Sequence, residues 1–246
     1  NILHFENRKS EKYDFSISDE KSEEFTGKTN FIDQERVINI CRNYGIPLVD
    51  QKLYDTKKIR NFENIDFPIV LKGISKKVIH KTDFNAVRLN IKDLSELNMA
   101  IDEMENIFNM NNIPLEQYLV QPFVEIKHEL LLGGFRDHSF GPIVMFGSGG
   151  KYVEVLDDTR IKSAYMNEKD IDDLINETKI GKIINGVRGE KAIDTYKLKN
   201  IIKSVSRLML ENKNIMEIDI NPLTVGINNE LSAVDVRIKE KINILE

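Results

Sequence analysis

The fold of this chain is constrained most by a series of short apolar runs, each bounded by glycine, proline or asparagine. Short runs that are rich in β-branched side chains are typical of buried strands. They occupy residues 67–74, 87–91, 119–124, 129–135, 142–146, 152–156, 216–220, 223–225 and 231–238. Asn228-Asn229 lies between the last two runs and favours a hairpin turn, since asparagine tolerates the left-handed backbone conformation. Strands joined by such short turns predict largely antiparallel sheets.

Helical patterns occur among these strands. Between Asp33 and Tyr44 the apolar residues recur at the i, i+3, i+4 and i+7 positions of one helix face, and Gly45 suits the C-terminus of that helix. Further helices are predicted from Ser95, over 168–178 and over 195–212. This mixture predicts an α+β (mixed α/β) fold with mostly antiparallel sheets, not a doubly wound parallel sheet.

The composition is typical of a globular protein in water. Hydrophobic residues make up 41% of the 246 residues, charged residues 30%, and the net charge is -5. This charge does not attract nucleic acid or an anionic membrane, so neither is expected as a partner, and a nucleotide would need a local site. The single cysteine, Cys41, fits a reducing compartment, so a cytoplasmic location is expected. Residues 1–30 show no sustained period and are expected to form a linker or N-terminal arm.

The C-terminal strands carry a group of oxygen-bearing side chains. Asp219 and Asn221 are two residues apart on one strand and therefore share a face, and the hairpin brings Asp235 alongside. Magnesium prefers hard oxygen ligands, usually one or two carboxylates with phosphate oxygens and water. The three residues are candidate metal ligands, although acidic residues on a solvated sheet face produce the same pattern.

Three other features are candidates for phosphate chemistry. The turn Gly147-Ser-Gly-Gly150 can direct backbone N–H groups toward a phosphate, but a glycine-rich hairpin turn has the same composition, and the string matches neither the P-loop nor the dinucleotide fingerprint. Lys72 lies in an apolar run, where its charge needs a phosphate, a carboxylate or an exposed edge. His80 follows that strand in a polar turn. Its imidazole either attacks phosphorus, with a neighbour such as Asp83 fixing the tautomer, or lies at the surface.

Five segments taken together resemble a known family. They are Pro68–Lys72, Ile79–Asp83, Phe140–Gly150, Gly186–Gly189 and Glu217–Leu223. In this order and spacing they resemble the ATP-grasp β subunit, or fused C-terminal domain, of the ADP-forming (NDP-forming) acetyl/acyl-CoA synthetases, relatives of succinyl-CoA synthetase. The resemblance runs from about residue 31 to 238. It implies an ATP-grasp fold in which two subdomains, expected at 31–120 and 121–246, enclose a nucleotide between their sheets.

The resemblance implies a role for each matching residue. The residues expected to contact ATP or ADP are Lys72, the hinge residues Gln121, Val124 and Glu125, the nearby Glu129, and Gly147, Ser148, Gly149 and Gly150. The residues expected to bind Mg²⁺ are Asp219, Asn221 and Asp235. Those expected to act in catalysis are His80 as phosphoryl carrier, Asp83 and Arg136. The family usually has two glycines where this chain has Asn85-Ala86, which implies a less mobile loop around His80.

The implied reaction is acyl-CoA + ADP + Pi ⇌ acid + CoA + ATP, through a phosphohistidine. A CoA-binding/ligase α subunit, or N-terminal domains fused to this chain, would complete the enzyme, so a hetero-oligomer or a larger chain is expected. One alternative is a regulatory or degenerate ATP-binding module fused to another enzyme such as an acetyltransferase. Another is a stand-alone ATP-grasp ligase, which the His80 segment disfavours because such ligases do not need it.

Overall fold

The structure contains two antiparallel sheets and six helices within the residues that it describes. It is a computed structural model that describes residues 29–60, 65–78, 84–187 and 191–242, without the side chains of Tyr152 and Glu154. The helices are α1 (Gln34–Tyr44), α2 (Leu94–Met110), α3 (Val153–Leu156), α4 (Glu168–Asn176), α5 (Lys179–Ile184) and α6 (Thr195–Glu211). The strands are β1 (Thr29–Phe31), β2 (Lys52–Asp55), β3 (Ile69–Ile74), β4 (Val87–Ile91), β5 (Gln117–Pro122), β6 (Ile126–Asp137), β7 (Gly141–Ser148), β8 (Thr159–Ser163), β9 (Ile215–Gly226), β10 (Leu231–Ala233) and β11 (Val236–Lys241). No helix in these ranges is long and apolar enough to cross a bilayer.

The larger sheet has seven strands and the smaller has four. The large sheet has the order β1-β11-β9-β6-β7-β8, with β10 paired to β9, and the small sheet has the order β2-β5-β3-β4. Every pairing between these strands is antiparallel. The predicted hairpin forms through Asn229, which has a φ of 63° and donates its N–H to the Gly226 carbonyl. The predicted fold class and sheet type are therefore confirmed.

Each sheet has its own apolar core. Helix α6 buries Leu198, Ile202 and Val205 at helical spacing against the large sheet, and α1 adds Val37 and Cys41 to the same core. On the small sheet α2 buries a separate set, Leu97, Ile101, Met104 and Phe108. Helix α1 thus belongs to the large sheet although it precedes the small one in sequence. The first subdomain was expected to span residues 31–120, but α1, which lies in that range, packs on the large sheet.

Two local predictions are wrong. The segment Tyr152–Leu156, predicted as a strand, forms a 3-10 turn followed by α3, because β8 already occupies the edge of β7 and leaves no pairing partner. Helix α2 is capped by Asp93, whose carboxylate accepts the Glu96 N–H at 2.9 Å, rather than by Ser95. Both aspartate and serine are good N-cap residues, so sequence alone did not separate them.

A buried aspartate connects the end of β7 to helix α5. Asp158 is 3% exposed, and its carboxylate accepts the Ser148 hydroxyl at 2.6 Å and the N–H groups of Lys179 and Ile180 at 2.6 and 2.9 Å. Burial alone would raise the pKa of this carboxyl, but the three hydrogen bonds outweigh it and hold the pKa below its ordinary value. The charged form of Asp158 is therefore part of the folded state.

We expect Asp158→Asn to lower the free energy of unfolding by about 2 kcal/mol, because an amide cannot accept all three hydrogen bonds and leaves a buried donor without a partner. A carboxyl whose pKa is depressed by folding stabilises the protein above its unfolded pKa of about 3.9 and loses that contribution as the pH falls through the folded pKa. Urea titrations of both proteins should therefore show a difference in the free energy of unfolding that is present at pH 7 and decreases as the pH falls to 3.

The matched control is Asp93→Asn, since asparagine caps a helix as well as aspartate does and Asp93 is exposed. A pH-independent difference between Asp158→Asn and the unaltered protein would contradict the assignment of a charged Asp158.

Candidate nucleotide site

The two sheets meet at the backbone carbonyl of Val234, in the turn between β10 and β11. The Lys72 ammonium, from β3, donates to this oxygen at 2.8 Å. The Gln121 side-chain amide, from β5, donates to the same oxygen at 3.1 Å and to Gln51 Oε1 at 2.8 Å. Two of the predicted nucleotide contacts, Lys72 and Gln121, therefore lie side by side and face the strand turn that carries Asp235.

Lys72 and Gln121 are costly to bury without polar partners. Their exposed fractions are 5% and 1%. Burial of an ammonium and a carboxamide requires polar partners, of which the Val234 carbonyl is one for each group. Beside them, Gln51 Nε2 and Gln121 Oε1 are buried without a hydrogen-bond partner in the described part of the chain. Buried polar atoms of this kind are usually satisfied by water or a ligand, so this end of the small sheet is suited to a polar ligand.

The glycine-rich turn is held against the large sheet by its own N–H groups. Gly149 N–H donates to the Glu129 carbonyl at 2.8 Å, and Gly150 N–H donates to Asn221 Oδ1 at 2.8 Å. Gly150 has a φ of +77°, a backbone conformation that favours glycine, and the Glu129 carboxylate lies next to its Cα. Ser148 donates its N–H and its hydroxyl to Asp158. In this structure the turn orients Asn221 and Glu129, and the N–H groups of Ser148, Gly149 and Gly150 are used within the protein.

The three predicted metal ligands have different partners. Asn221 donates its N–H to the Asp235 carbonyl at 3.1 Å, which places these two residues next to each other across β9 and the turn before β11. Asp219 is opposite Arg237 in the β9–β11 register, and its carboxylate accepts a guanidinium N–H at 2.7 Å. The Asp219 and Arg237 side chains are 15% and 19% exposed. Asp219 is therefore an ion-pair partner in this structure.

The two other predicted metal ligands, Asn221 and Asp235, are suited to a divalent cation that is also bound by phosphate. Among the described residues, no three His, Cys, Asp or Glu side chains are grouped so as to hold a metal ion. Magnesium does not need such a cage, since it is commonly held by one or two carboxylates together with substrate phosphates and water. Asn221 and Asp235, next to each other and near Lys72, match that requirement in chemistry.

The other predicted nucleotide contacts lie in the connection from β5 to β6. Val124 is half-buried and Glu125 is exposed, and the preceding Phe123 N–H is fixed to the Pro68 carbonyl at 2.9 Å. Glu129, on β6, keeps an exposed side chain next to Gly150. This connection joins a strand of the small sheet to a strand of the large one, as expected for a hinge.

The predicted phosphoryl carrier His80 and its neighbour Asp83 lie outside the described residues. The chain is described again from Phe84. Asn85 has a φ of 55°, a conformation that glycine adopts freely and that asparagine tolerates better than most residues. Ala86 is fully buried in the core of the small sheet. The Asn85-Ala86 pair therefore provides the same left-handed turn that a first glycine would give, followed by a packed side chain.

The prediction for Arg136 needs correction. Its guanidinium donates to the Ile215 carbonyl and the Asn212 carbonyl, both at 2.8 Å, and also to the Met209 carbonyl. These carbonyls lie at and just beyond the C-terminus of α6, which has free acceptors and a partial negative charge. Arg136 is also seven residues from Glu129 along β6, or roughly 23 Å. It stabilises the end of α6 and does not belong to the phosphate contacts.

Three contributors to the site were not predicted. The Val234 carbonyl is a backbone atom and leaves no trace in a sequence. Gln51 lies in an irregular segment between α1 and β2, where no pattern indicates a contact with Gln121. Arg237 is different. It lies two residues after Asp235 in a strand where polar and apolar residues alternate, so it belongs to the polar face. Its pairing with Asp219 on the neighbouring strand could therefore have been predicted from the sequence.

Comparison with known proteins agrees with this geometry. Residues 25–239 match the family model described as an ATP-grasp domain. The β subunit of acetate–CoA ligase [ADP-forming] I from Pyrococcus furiosus is 35% identical over 202 residues, which cover 80% of this chain and 87% of that protein. Acetate–CoA ligase [ADP-forming] I from Archaeoglobus fulgidus is 33% identical over 94% of this chain, but the chain spans only 34% of its length.

Solved structures give the same result. Acetyl-coenzyme A synthetase 1 of Ca. Korarchaeum cryptofilum, in complex with coenzyme A, Ca-AMPCP and HgCl+, is similar with a TM-score of 0.78 and 34% identity over 90% of this chain and 97% of that one. A Mg-AMPPCP complex of the same enzyme, described with its phosphohistidine segment pointing towards the nucleotide binding site, gives a TM-score of 0.73 at 31% identity, over 86% of this chain and 93% of that one. The chain therefore belongs to the ATP-grasp family that includes the β subunits of the ADP-forming acetate–CoA ligases.

Proposed function

We propose that this chain is the nucleotide-binding, phosphoryl-transferring part of an ADP-forming acyl-CoA synthetase. Its half-reaction moves a phosphoryl group between a nucleotide and His80. A CoA-binding partner, as a separate subunit or as fused domains, carries out the acyl chemistry and gives the overall reaction acyl-CoA + ADP + Pi ⇌ acid + CoA + ATP. The relatives include both arrangements, since some are β subunits and others are longer chains.

The observation that carries this proposal is the meeting of the two sheets at Val234. Lys72 and Gln121 of the small sheet reach the turn that carries Asp235, and Asp235 is joined to Asn221, which in turn holds Gly150. A cation, a carboxamide and an oxygen-rich strand pair thus converge from two sides. A nucleotide di- or triphosphate is the ligand class whose charge and shape match this arrangement.

In the proposed transfer, an imidazole nitrogen of His80 attacks the γ-phosphorus of ATP. The N–P bond forms while the bond to the β,γ-bridging oxygen breaks, ADP leaves with that electron pair, and the imidazole proton passes to a carboxylate or to solvent. Lys72 offsets the charge on the phosphates. Asn221 and Asp235 would hold a Mg²⁺ ion, which when bound would supply positive charge at the leaving group. The protein contributes mainly position and electrostatics.

Replacing Lys72 by Met should weaken ADP binding by about 10- to 100-fold, because a hydrogen bond to a charged group contributes about 1.5–3 kcal/mol and Met keeps the buried volume. Isothermal titration with ADP and Mg²⁺ measures this effect. Lys52→Met is the control, since Lys52 is an exposed lysine on β2 of the same sheet. Equal ADP affinity in all three proteins would argue against a phosphate contact at Lys72.

Replacing Asp235 by Asn should remove most of the Mg²⁺ dependence of ADP binding while leaving metal-free binding unchanged, because a carboxylate binds Mg²⁺ far better than an amide does. Titrations of ADP with Mg²⁺ and with EDTA measure the dependence. Asp219→Asn is the comparison, since Arg237 already engages Asp219. If Asp219→Asn loses the dependence and Asp235→Asn keeps it, the ligand assignment is reversed.

Replacing His80 by Ala should abolish an acid-labile, alkali-stable phosphoryl label acquired from Mg-ATP, because no nitrogen remains to form the N–P bond. The label is followed with γ-labelled ATP. His138→Ala is the control, since His138 is 73% exposed in the β6–β7 turn. If ATP binds but neither the unaltered protein nor His138→Ala is labelled, with or without the CoA-binding partner, the chain is instead a regulatory nucleotide-binding module.

A further inference from the structure

A buried aspartate at the start of β8 holds the glycine-rich turn Gly147–Gly150. Ser148 is attached to Asp158 twice, since its hydroxyl donates to the Asp158 carboxylate at 2.6 Å and its N–H donates to the Asp158 carbonyl at 3.0 Å. The two residues are 8% and 3% exposed. At Gly147 the two backbones lie so close that a Cβ would overlap the Asp158 carbonyl. Side-chain and backbone contacts together therefore fix Ser148 against Asp158.

The carboxylate that receives the Ser148 hydroxyl is itself held by a helix. It accepts the N–H groups of Lys179 and Ile180, the first two residues of α5, at 2.6 and 2.9 Å. These donors belong to the first turn of a helix, where N–H groups have no partner within the helix, and they have no side-chain torsion of their own. The Ser148 hydroxyl thus binds an acceptor whose orientation is set from outside the turn.

The turn carries this fixed position to Asn221. Gly149 N–H donates to the Glu129 carbonyl and Gly150 N–H donates to Asn221 Oδ1, both at 2.8 Å. An N–H donor selects the oxygen end of a carboxamide rather than its NH₂ end. A carboxamide oxygen has two acceptor sites, so one remains for a cation. The orientation of the candidate metal ligand Asn221 is therefore set by the turn.

We propose that Asp158 is a positioning residue for Asn221, and that it acts through Ser148 and Gly150. This inference rests on the proposed function and adds to it a buried residue outside the predicted metal and nucleotide contacts. Asp158 fixes Ser148, the chain then places the Gly150 N–H two residues later, and that N–H orients the Asn221 oxygen. Loss of the attachment at Ser148 leaves Asn221 free to turn its NH₂ group, which cannot bind a cation, toward the metal position.

The first test follows hydrogen exchange of the Gly150 amide by NMR and needs no ligand. Ser148→Ala keeps the backbone and removes the hydroxyl. It should accelerate Gly150 exchange about tenfold, because the turn opens more often without this attachment. Asp158→Ala should accelerate Gly150 exchange in the same way, and the double variant should add nothing further, since the hydroxyl acts through that carboxylate.

Ser206→Ala is the matched control for the loss of a buried hydroxyl. Ser206, on α6, is also 8% exposed, and its hydroxyl donates to the Ala164 carbonyl at 2.6 Å. This variant should keep Gly150 exchange within about twofold of the unaltered protein, because the lost bond does not involve the turn. An unchanged Gly150 rate in Ser148→Ala, or an equal acceleration in Ser206→Ala, would overturn the proposal.

The second test measures the metal dependence of ADP binding by isothermal titration with Mg²⁺ and with EDTA. Ser148→Ala should lower the Mg²⁺ enhancement of ADP affinity about fivefold and keep metal-free affinity within about twofold, whereas Ser206→Ala should change neither. A loss of metal-free affinity in Ser148→Ala would make Ser148 a direct nucleotide contact, and an undiminished enhancement would remove the positioning role, so either result contradicts the inference and leaves the proposed function standing. Failure of the unaltered protein to bind ADP contradicts the proposed function itself, whatever the rate of Gly150 exchange.

Discussion

The two sheets are joined at a backbone oxygen, the carbonyl of Val234, which accepts hydrogen bonds from Lys72 and Gln121. The two donors belong to the small sheet and the acceptor to the turn between β10 and β11 of the large one, so this contact connects the two sheets. Lys72 is thus both a predicted phosphate contact and a donor that joins the sheets. Under the proposed function, a phosphate would compete with the Val234 carbonyl for this ammonium, and nucleotide binding would be linked to the contact between the sheets.

Much of the fold was predictable from local sequence patterns, whereas the packing of a helix on a sheet depends on pairings between residues far apart in the chain. The period of α6 and the Asn228-Asn229 hairpin depend on neighbouring residues, and both were predicted correctly. The packing of α1 on the large sheet was missed, because it is fixed by β1, whose Phe31 pairs with Lys239 near the other end of the chain. Pairings between residues so distant in sequence leave no periodic signal in either segment.

The candidate site shows the same division. Strand alternation predicts that Asp219 and Asn221 share a face, but the partner of each residue decides its role, and partners come from other elements. Asp219 received a guanidinium, and Asn221 received the N–H of Gly150. Arg136 was assigned to phosphates by resemblance, yet the carbonyls at the end of α6 supply a nearer negative charge. A residue type can be carried over from a family, while its contacts depend on this chain's own packing.

A row of two cross-strand charge pairs lies on β9 and β11, Arg237 with Asp219 and Lys239 with Glu217. At its far end burial raises the pKa of the Glu217 carboxyl, and the neighbouring Asp219 charge raises it further, while Lys239 and Arg237 oppose this effect. Asp219, the next carboxylate of the row, accepts from the Arg237 guanidinium at 2.7 Å, whereas Lys239 Nζ is 3.8 Å from the Glu217 carboxylate. The carboxylate nearer to Asn221 therefore has the closer cationic partner. Asp219 precedes the candidate metal ligand Asn221 by two residues, so the Arg237 guanidinium compensates the carboxylate that lies beside this ligand along β9.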